Sequence, residues 1–299
     1  MRCLVTGGAG FIGSNLVDRL LEDGNTVVVI DNESSDAHDN FYWNPLSDNH
    51  KLDICDYDAI RPLFENVDIV YHLAAEARIQ PALLNPILAT KTNVAGTCTV
   101  LQCAREANVK RVIYSSTSSA YGLKNIPPLR ETMPNDCLNP YSVTKTSGEE
   151  LCKMYTNLFG LQTVIFRYFN VYGERQPLRG QYAPVIGLFI RQNLEGKEMT
   201  VVGDGLQRRD FTHVSDVVTA NMLASKMENC KCVGETFNIG TGINHNILDI
   251  VKMINGPYKH IPPRPAESRV TLSDSSKARL ILGWSAKVKL EEWMSKNVK

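Results

Sequence analysis

RCLVTGGAGFIGSNLVDRLLED, residues Arg2 to Asp23, reads as a strand, a glycine turn and a helix. Arg2 to Thr6 is short and mostly apolar, and Phe11 to Asp23 repeats its apolar residues at helical spacing. Gly7, Gly10 and Gly13 occupy the junction. Glycine there permits a tight turn, a close backbone approach to a pyrophosphate, and tight seating of helix on strand. The helix opening at Phe11 and Ile12 offers free N–H groups and the positive end of its dipole, so the junction is expected to take phosphate.

The alternation continues outward from this unit. Thr26 to Ile30, Asp68 to Tyr71, Arg111 to Ser115 and Thr163 to Arg167 read as strands, nearly unbroken in apolar character, as parallel strands covered on both faces must be. Tyr57 to Glu65, Pro81 to Asn108 and Pro140 to Gly160 read as helices. The pattern predicts an α/β fold, a Rossmann-type doubly wound parallel sheet. After Asn170 the rhythm loosens, with Gly173, Pro177, Gly180 and Pro184 close together and a proline-rich stretch at Ile261 to Pro265. The expected division is therefore 1–170 and 171–299, the second part smaller and mixed. Phe211 to Val214 and Thr236 to Ile239 are expected to return to the first sheet and interleave the boundary. The two longest helices are candidates to pack against copies of themselves in a homodimer.

Hydrophobic residues make up 43% of the 299 and charged residues 21%, which is too apolar for wholesale disorder. Lys and Arg (32) cancel Asp and Glu (32), removing the footprint of a general nucleic-acid or anionic-membrane binder. No apolar run approaches the ~18 residues of a membrane span, and the first ten residues lack a secretory pattern, so the cytosol is the expected location. Eight cysteines spread from Cys3 to Cys232 without paired CxxC spacing, so reduced thiols are expected and no metal site. Cys230 and Cys232 form a single CxC, read as structural, and His38 and His50, in or beside a polar stretch, read as solvated.

Asp31 ends the second strand about 20 residues beyond the glycines, where a carboxylate can accept hydrogen bonds from adenosine ribose hydroxyls. Asn32 follows, with no adjacent cation for a 2′-phosphate, so NAD is favoured over NADP; an ordinary turn cap is the alternative role for Asp31. Tyr141 is the only tyrosine followed four positions later by a lysine, Lys145, and Pro140 places both on the first turns of one helix face. A lysine so placed can lower the phenol's pKa. Ser115, Ser116, Thr117, Ser118 and Ser119 follow a strand and so lie at the carboxyl edge of the sheet, where such folds bind ligands. Each hydroxyl there could equally satisfy its own backbone.

Together these residues resemble the extended short-chain dehydrogenase/reductase family, in particular the NAD-dependent epimerases of the UDP-galactose/UDP-N-acetylglucosamine 4-epimerase type. The resemblance runs along essentially the whole chain: the glycine segment, Asp31, Asp53 with Ile54, His72 to Ala75, Asn93, the Ser/Thr strand end, Tyr141 with Lys145, Arg167 to Gly173, Gly203 to Val214, and Arg264 onward. It implies that Asp53 and Ile54 flank the adenine and that Asn93 helps hold the cofactor. It also implies that Asn32, Leu73, Ala74, Ala75, Ser115 and Tyr168 complete the cofactor site. Thr117, Tyr141 and Lys145 are the implied catalytic set, with Asn170, Arg209 and Arg264 on the nucleotide diphosphate. Either arginine could instead form an ordinary surface ion pair.

The implied reaction is inversion at C4 of a UDP-hexose through a 4-keto sugar, with NAD⁺ taking and returning a hydride while the Tyr141 phenolate moves the proton. Related 4,6-dehydratases carry an acidic pair after the catalytic threonine. Here Ser118 and Ser119 stand there, so dehydratase and decarboxylase activities are disfavoured. A position that walls the family's sugar pocket corresponds to Thr271. A small residue there, and the segment Gly173 to Gly187 with Arg175, Gln176, Gly180 and Tyr182, imply acceptance of UDP-GlcNAc/UDP-GalNAc beside UDP-Glc/UDP-Gal. The alternatives are another short-chain enzyme acting on a nucleotide sugar, such as a UDP-glucuronate 4-epimerase, a dehydratase or a reductase, and a non-catalytic NAD-binding protein. Glu76 and Arg78 follow Ala75 without an assigned role.

Overall fold

A computed structural model describes residues 1–35, 41–178 and 183–298. Six strands arise in chain order within the first part: β1 (Arg2–Thr6), β2 (Thr26–Asp31), β3 (Asp48–Lys51), β4 (Ile69–His72), β5 (Arg111–Thr117) and β6 (Gln162–Tyr168). With Thr236–Ile239 they form a seven-stranded parallel sheet in which Thr236–Ile239 and β3 are the edges and β1 sits between β2 and β4. All five strands read from sequence are present, and the doubly wound arrangement is the one expected.

Alternation within each strand divides the core between the two faces. Cys3, Val5, Val27, Val29, Tyr71 and Phe166 point to one side, against helices Phe11–Glu22, Val214–Ala224 and Ser276–Leu282. Leu4, Val28, Ile30, Val70, Tyr114 and Ile165 point to the other, against Thr97–Glu106 and Pro140–Phe159. Both faces are therefore apolar, which is why the strands lack a polar side. A further core lies in the later chain, where Phe189, Val201, Ile250, Val251 and Met294 pack among helices Val185–Leu194, Ile247–Ile254 and Leu290–Asn297.

Three expectations about elements are corrected, and one strand is added. Pro81 to Asn108 is not one helix but Ile79–Leu84, Pro86–Thr90, a π-turn at Lys91–Gly96, and Thr97–Glu106. Pro86 lacks the N–H needed to continue the first helix, and it disfavours helical geometry at Asn85 (φ −136°, ψ 76°), whose side chain caps the next helix through Leu88 N. Tyr57 to Glu65 splits similarly at Pro62 into one α-turn and a 3₁₀ turn. Within Phe211 to Val214, Thr212–His213 pairs with Val171–Tyr172 rather than with the main sheet, because His213 caps the helix that begins at Val214. Asp48–Lys51, for which the sequence offers no strand reading, is the edge strand β3. Its residues are mostly exposed, so no apolar pattern marks it.

Among the described residues no helix is long and apolar enough to cross a membrane. His50 pairs with Asp48 at 2.9 Å, and Cys232 is buried in a 3₁₀ turn beside exposed Cys230. His38, Gly180 and Tyr182 lie outside the described residues.

Candidate active site

Parallel register brings the carboxyl ends of the central strands together: Thr6 lies opposite His72, His72 opposite Tyr114, and Thr117 opposite Tyr168. A cleft of about 530 Å³ opens above them, where the strand order switches direction at β1.

One end of the cleft is lined by Gly7, Gly10, Phe11, Ile12 and Gly13, with Asp31, Asn32, Ile54, Leu73, Ala74 and Ala75 around them. Gly7 has φ +70°, and an added Cβ would stand 2.7 Å from the Ala74 nitrogen. At Gly13 a Cβ would collide with the Gly7 carbonyl oxygen and lie 2.8 Å from the Gly8 Cα, so helix and turn close on each other without space for any side chain. Gly10 is the helix N-cap and has no side chain to occupy the first-turn N–H groups. Asp31 is 8% exposed and accepts from Ala9 N (3.1 Å) and Glu33 N (2.8 Å), which fixes its carboxylate at the cleft edge. Burial raises its pKa, and these two N–H donors oppose the rise. A backbone cradle for pyrophosphate beside a fixed acceptor for ribose fits a dinucleotide of the NAD type.

At the centre lie Ser115, Thr117, Tyr141, Lys145 and Tyr168. Helix Pro140–Phe159 starts with a capping box, in which Asn139 accepts from Ser142 N (2.8 Å) and Ser142 Oγ contacts Asn139 N (3.3 Å), so the first turn carrying Tyr141 is anchored. Thr117 and Tyr141 line the cleft together, and the Thr117 hydroxyl accepts from Ser119 N (3.1 Å). Burial raises the phenol's pKa and the neighbouring Thr117 hydroxyl opposes the rise, while burial draws the Lys145 ammonium down to about 7. Tyr168 OH receives Ser115 Oγ (3.1 Å) and Asn221 Nδ2 (2.9 Å), tying β5 to β6 and to helix Val214–Ala224.

The opposite wall carries Asn170, Arg209, Arg264 and Thr271, together with Glu267 and Ser268. Arg209 donates to the Arg208 carbonyl (3.0 Å) and lies 3.7 Å from the Glu267 carboxylate. Thr271 Oγ1 accepts from Asp210 N, and the buried Asp210 carboxylate receives Thr241 N, Gly242 N and Ser273 N at 2.9 to 3.0 Å. Asp210 thus holds together the segments that bear Arg209 and Thr271.

Two residues expected at the cofactor are not among those that line the cleft. Asp53 does not line the cleft; it accepts from Cys55 N (2.8 Å) and shapes the turn after β3. Asn93 is fully buried on the π-turn. It accepts from Glu76 N (2.8 Å) and donates to Glu76 O (3.1 Å) and Thr144 Oγ1 (2.9 Å), so it positions the cleft loop against the Tyr141 helix instead of lining the cleft.

Sequence reasoning missed three supports. His72 lies between Thr6 Oγ1 (2.7 Å) and Thr97 Oγ1 (2.9 Å); burial, with Lys145 nearby, draws its pKa down to about 3. Glu149 takes Arg167 in a two-pronged pair (2.9 and 2.7 Å) and receives Ser116 Oγ at 2.5 Å. Spacing offered a clue here, because Glu149 continues the Tyr141–Lys145 interval by one more turn. Tyr114 lies beneath Lys145, and only the pairing of β5 with the helix reveals it.

The chain matches the model of the NAD-dependent epimerase/dehydratase family over residues 3–240. The chain belongs to that family. It is 37% identical to a UDP-glucose 4-epimerase of Mycolicibacterium smegmatis, covering 100% of this chain and 97% of that one. It is 39% identical to a UDP-N-acetyl-alpha-D-glucosaminuronate decarboxylase of Bacillus cytotoxicus, covering 89% and 86%. The crystal structure of UDP-glucose 4-epimerase with UDP-glucose from Thermotoga maritima superposes with a TM-score of 0.93 at 36% identity, covering 100% of this chain and 97% of that one. The chain is thus an enzyme of the UDP-sugar epimerase and decarboxylase group, and NAD is the family's cofactor.

Proposed function

We propose that this family member is a UDP-hexose 4-epimerase acting on UDP-GlcNAc/UDP-GalNAc and on UDP-Glc/UDP-Gal. The observation that carries the reading is the meeting of Thr117, Tyr141 and the buried Lys145 in one cleft, with Lys145 one helical turn from Tyr141 and two serines after Thr117.

NAD⁺, when bound along Gly7 to Gly13 and Asp31, supplies the acceptance of a hydride from C4 and its return to the opposite face. Tyr141 takes the O4 proton and later restores it. Burial holds its phenol high, so ionisation needs a nearby positive charge, and in this reading Lys145, one helical turn along, is its source. Thr117 donates a hydrogen bond to O4 and keeps it facing the phenol. Arg209 and Arg264 hold the diphosphate, since guanidinium groups match phosphate oxygens in pairs, and the sugar is left free to turn. Ser118 and Ser119 cannot donate or take up a proton as a carboxylic acid does at neutral pH, which favours epimerisation over elimination. Thr271, compact and turned toward Asp210 N, leaves room for an N-acetyl group. We place the enzyme in the cytosol as a homodimer. Leu84, Ile87 and Leu158, on helices that pack together, are exposed and supply the apolar contact.

NMR of a panel of UDP-hexoses, UDP-N-acetylhexosamines and UDP-glucuronate tests the activity. C4 interconversion without added reductant is expected for the first two classes, and Tyr141→Phe is expected to abolish it while keeping NAD. Carbon dioxide release from a uronate, or undiminished exchange in Tyr141→Phe, overturns the reading; conversion of the non-acetylated pair alone overturns the argument from Thr271.

A further inference from the structure

The ring of Tyr114 lies under the Lys145 ammonium, 4.3 Å from Nζ to the ring centroid. Both side chains are out of water: Tyr114 is 0% exposed and Lys145 2%. The contact is fixed from two further directions. Tyr114 OH donates to the Lys145 carbonyl oxygen (3.1 Å), so one side chain meets both the backbone and the head group of the same lysine. Gly148, on the facing turn, makes room, because a Cβ there would lie 2.6 Å from Tyr114 Cζ.

We propose that Tyr114 is a positioning residue that holds Lys145 protonated and aimed at the cleft through the face of its ring. The proposal rests on the functional reading above. An ammonium stripped of water loses hydration, and an aromatic face returns part of that loss with no competing negative charge that could draw the lysine away from Tyr141. The other groups around Lys145 do not duplicate this role. Glu149, on the same helix, favours the ammonium through its charge, but its carboxylate is bound by Arg167 and Ser116 and offers Lys145 no aromatic face. Cys152 is a buried thiol whose pKa burial pushes upward, so it carries no charge near neutral pH. His72, on β4, is held neutral by burial and by its proximity to Lys145. Tyr141 is the phenol being served. Burial draws Lys145 down to about 7 even against the opposing charge of Glu149, so its charge state at working pH is sensitive to such a contact.

The test uses the purified full chain with lysine labelled at Cε, following the Lys145 resonance by NMR through a pH titration and assigning it by its loss in Lys145→Met. Tyr114→Phe keeps the ring and loses only the hydroxyl; Tyr114→Leu loses the ring. The expected result is a wild-type midpoint in Tyr114→Phe and a fall of about one pH unit, roughly tenfold in the ammonium-to-amine ratio, in Tyr114→Leu. In the C4-exchange assay Tyr114→Leu narrows the pH–rate profile from its alkaline side, because Lys145 surrenders its proton earlier, and Tyr114→Phe leaves it unchanged. Far-UV circular dichroism and melting of Tyr114→Phe establish that the framework survives. A Tyr114→Leu midpoint equal to wild type, or equal shifts in both variants, overturns the proposal. The expected titration difference in a chain that exchanges nothing at C4 overturns the functional reading alone.

Discussion

Glu149→Gln removes the negative half of a pair sealed beneath the site, where the side chains of Arg167 and Glu149 are 4% and 0% exposed. Solvent screening, which reduces most ion pairs to about 0–1 kcal/mol, is therefore absent here. The carboxylate receives three charge-assisted hydrogen bonds, two from Arg167 and one from Ser116. An amide retains one acceptor and leaves the guanidinium buried with its charge uncompensated. Losing one partner of such a pair costs about 3–5 kcal/mol, and at roughly 2 °C per kcal/mol for a chain of this size the melting midpoint falls by roughly 6–10 °C. Denaturant unfolding followed by fluorescence and circular dichroism measures the cost. The double variant Glu149→Gln/Arg167→Met, which leaves no orphan charge, is expected to lose at least about 2 kcal/mol less than the two single losses added together. A loss below about 1 kcal/mol in Glu149→Gln, or strict additivity in the double variant, refutes the reasoning.

His72 gives the acid limb of stability. Its folded-state pKa lies at about 3 against 6.5 for the free group, so between these values the unfolded chain holds a proton that the folded chain refuses. Stability is accordingly full above pH 6.5 and falls as pH drops toward 3, by on the order of 5 kcal/mol from this one group. His72→Gln is expected to flatten that limb in pH-dependent unfolding, and an unchanged slope would assign the acid sensitivity elsewhere. Light scattering of the purified chain is expected to give twice 33.3 kDa, and Leu84→Glu/Ile87→Glu to return it to the single-chain mass. A wild-type mass of one chain rejects the homodimer.

Most of the sheet was legible because its strands are covered on both faces and so read as continuous apolar runs. β3 escaped because an exposed edge strand, DNHK, carries no such run. The meeting of the glycines, Asp31, Thr117, Tyr141 and Lys145 at one cleft was legible because a tight strand–turn–helix junction and the first turns of a helix restrict residue type at fixed spacing. The supports were not. Asn93, Tyr114 and His72 act through partners 17 to 66 positions away, and periodicity along one chain carries no information about which distant atoms a side chain meets. Pro86 was visible in the sequence, yet the apolar rhythm on both sides of it outweighed its meaning as a break.

The π-turn at Lys91–Gly96 acts as a phase adjuster. It lets the upstream stretch turn Asn93 inward to its bridge while Val100, Leu101 and Ala104 downstream still face the sheet. Removing one residue from the turn would rotate everything after it by about 100°, so the chain could keep the amide bridge or the buried leucine face but not both. Length in this short segment is therefore under tighter physical constraint than the identity of Lys91 or Thr92, and single-residue insertions or deletions between 91 and 96 will be tolerated far less well than substitutions at those two positions.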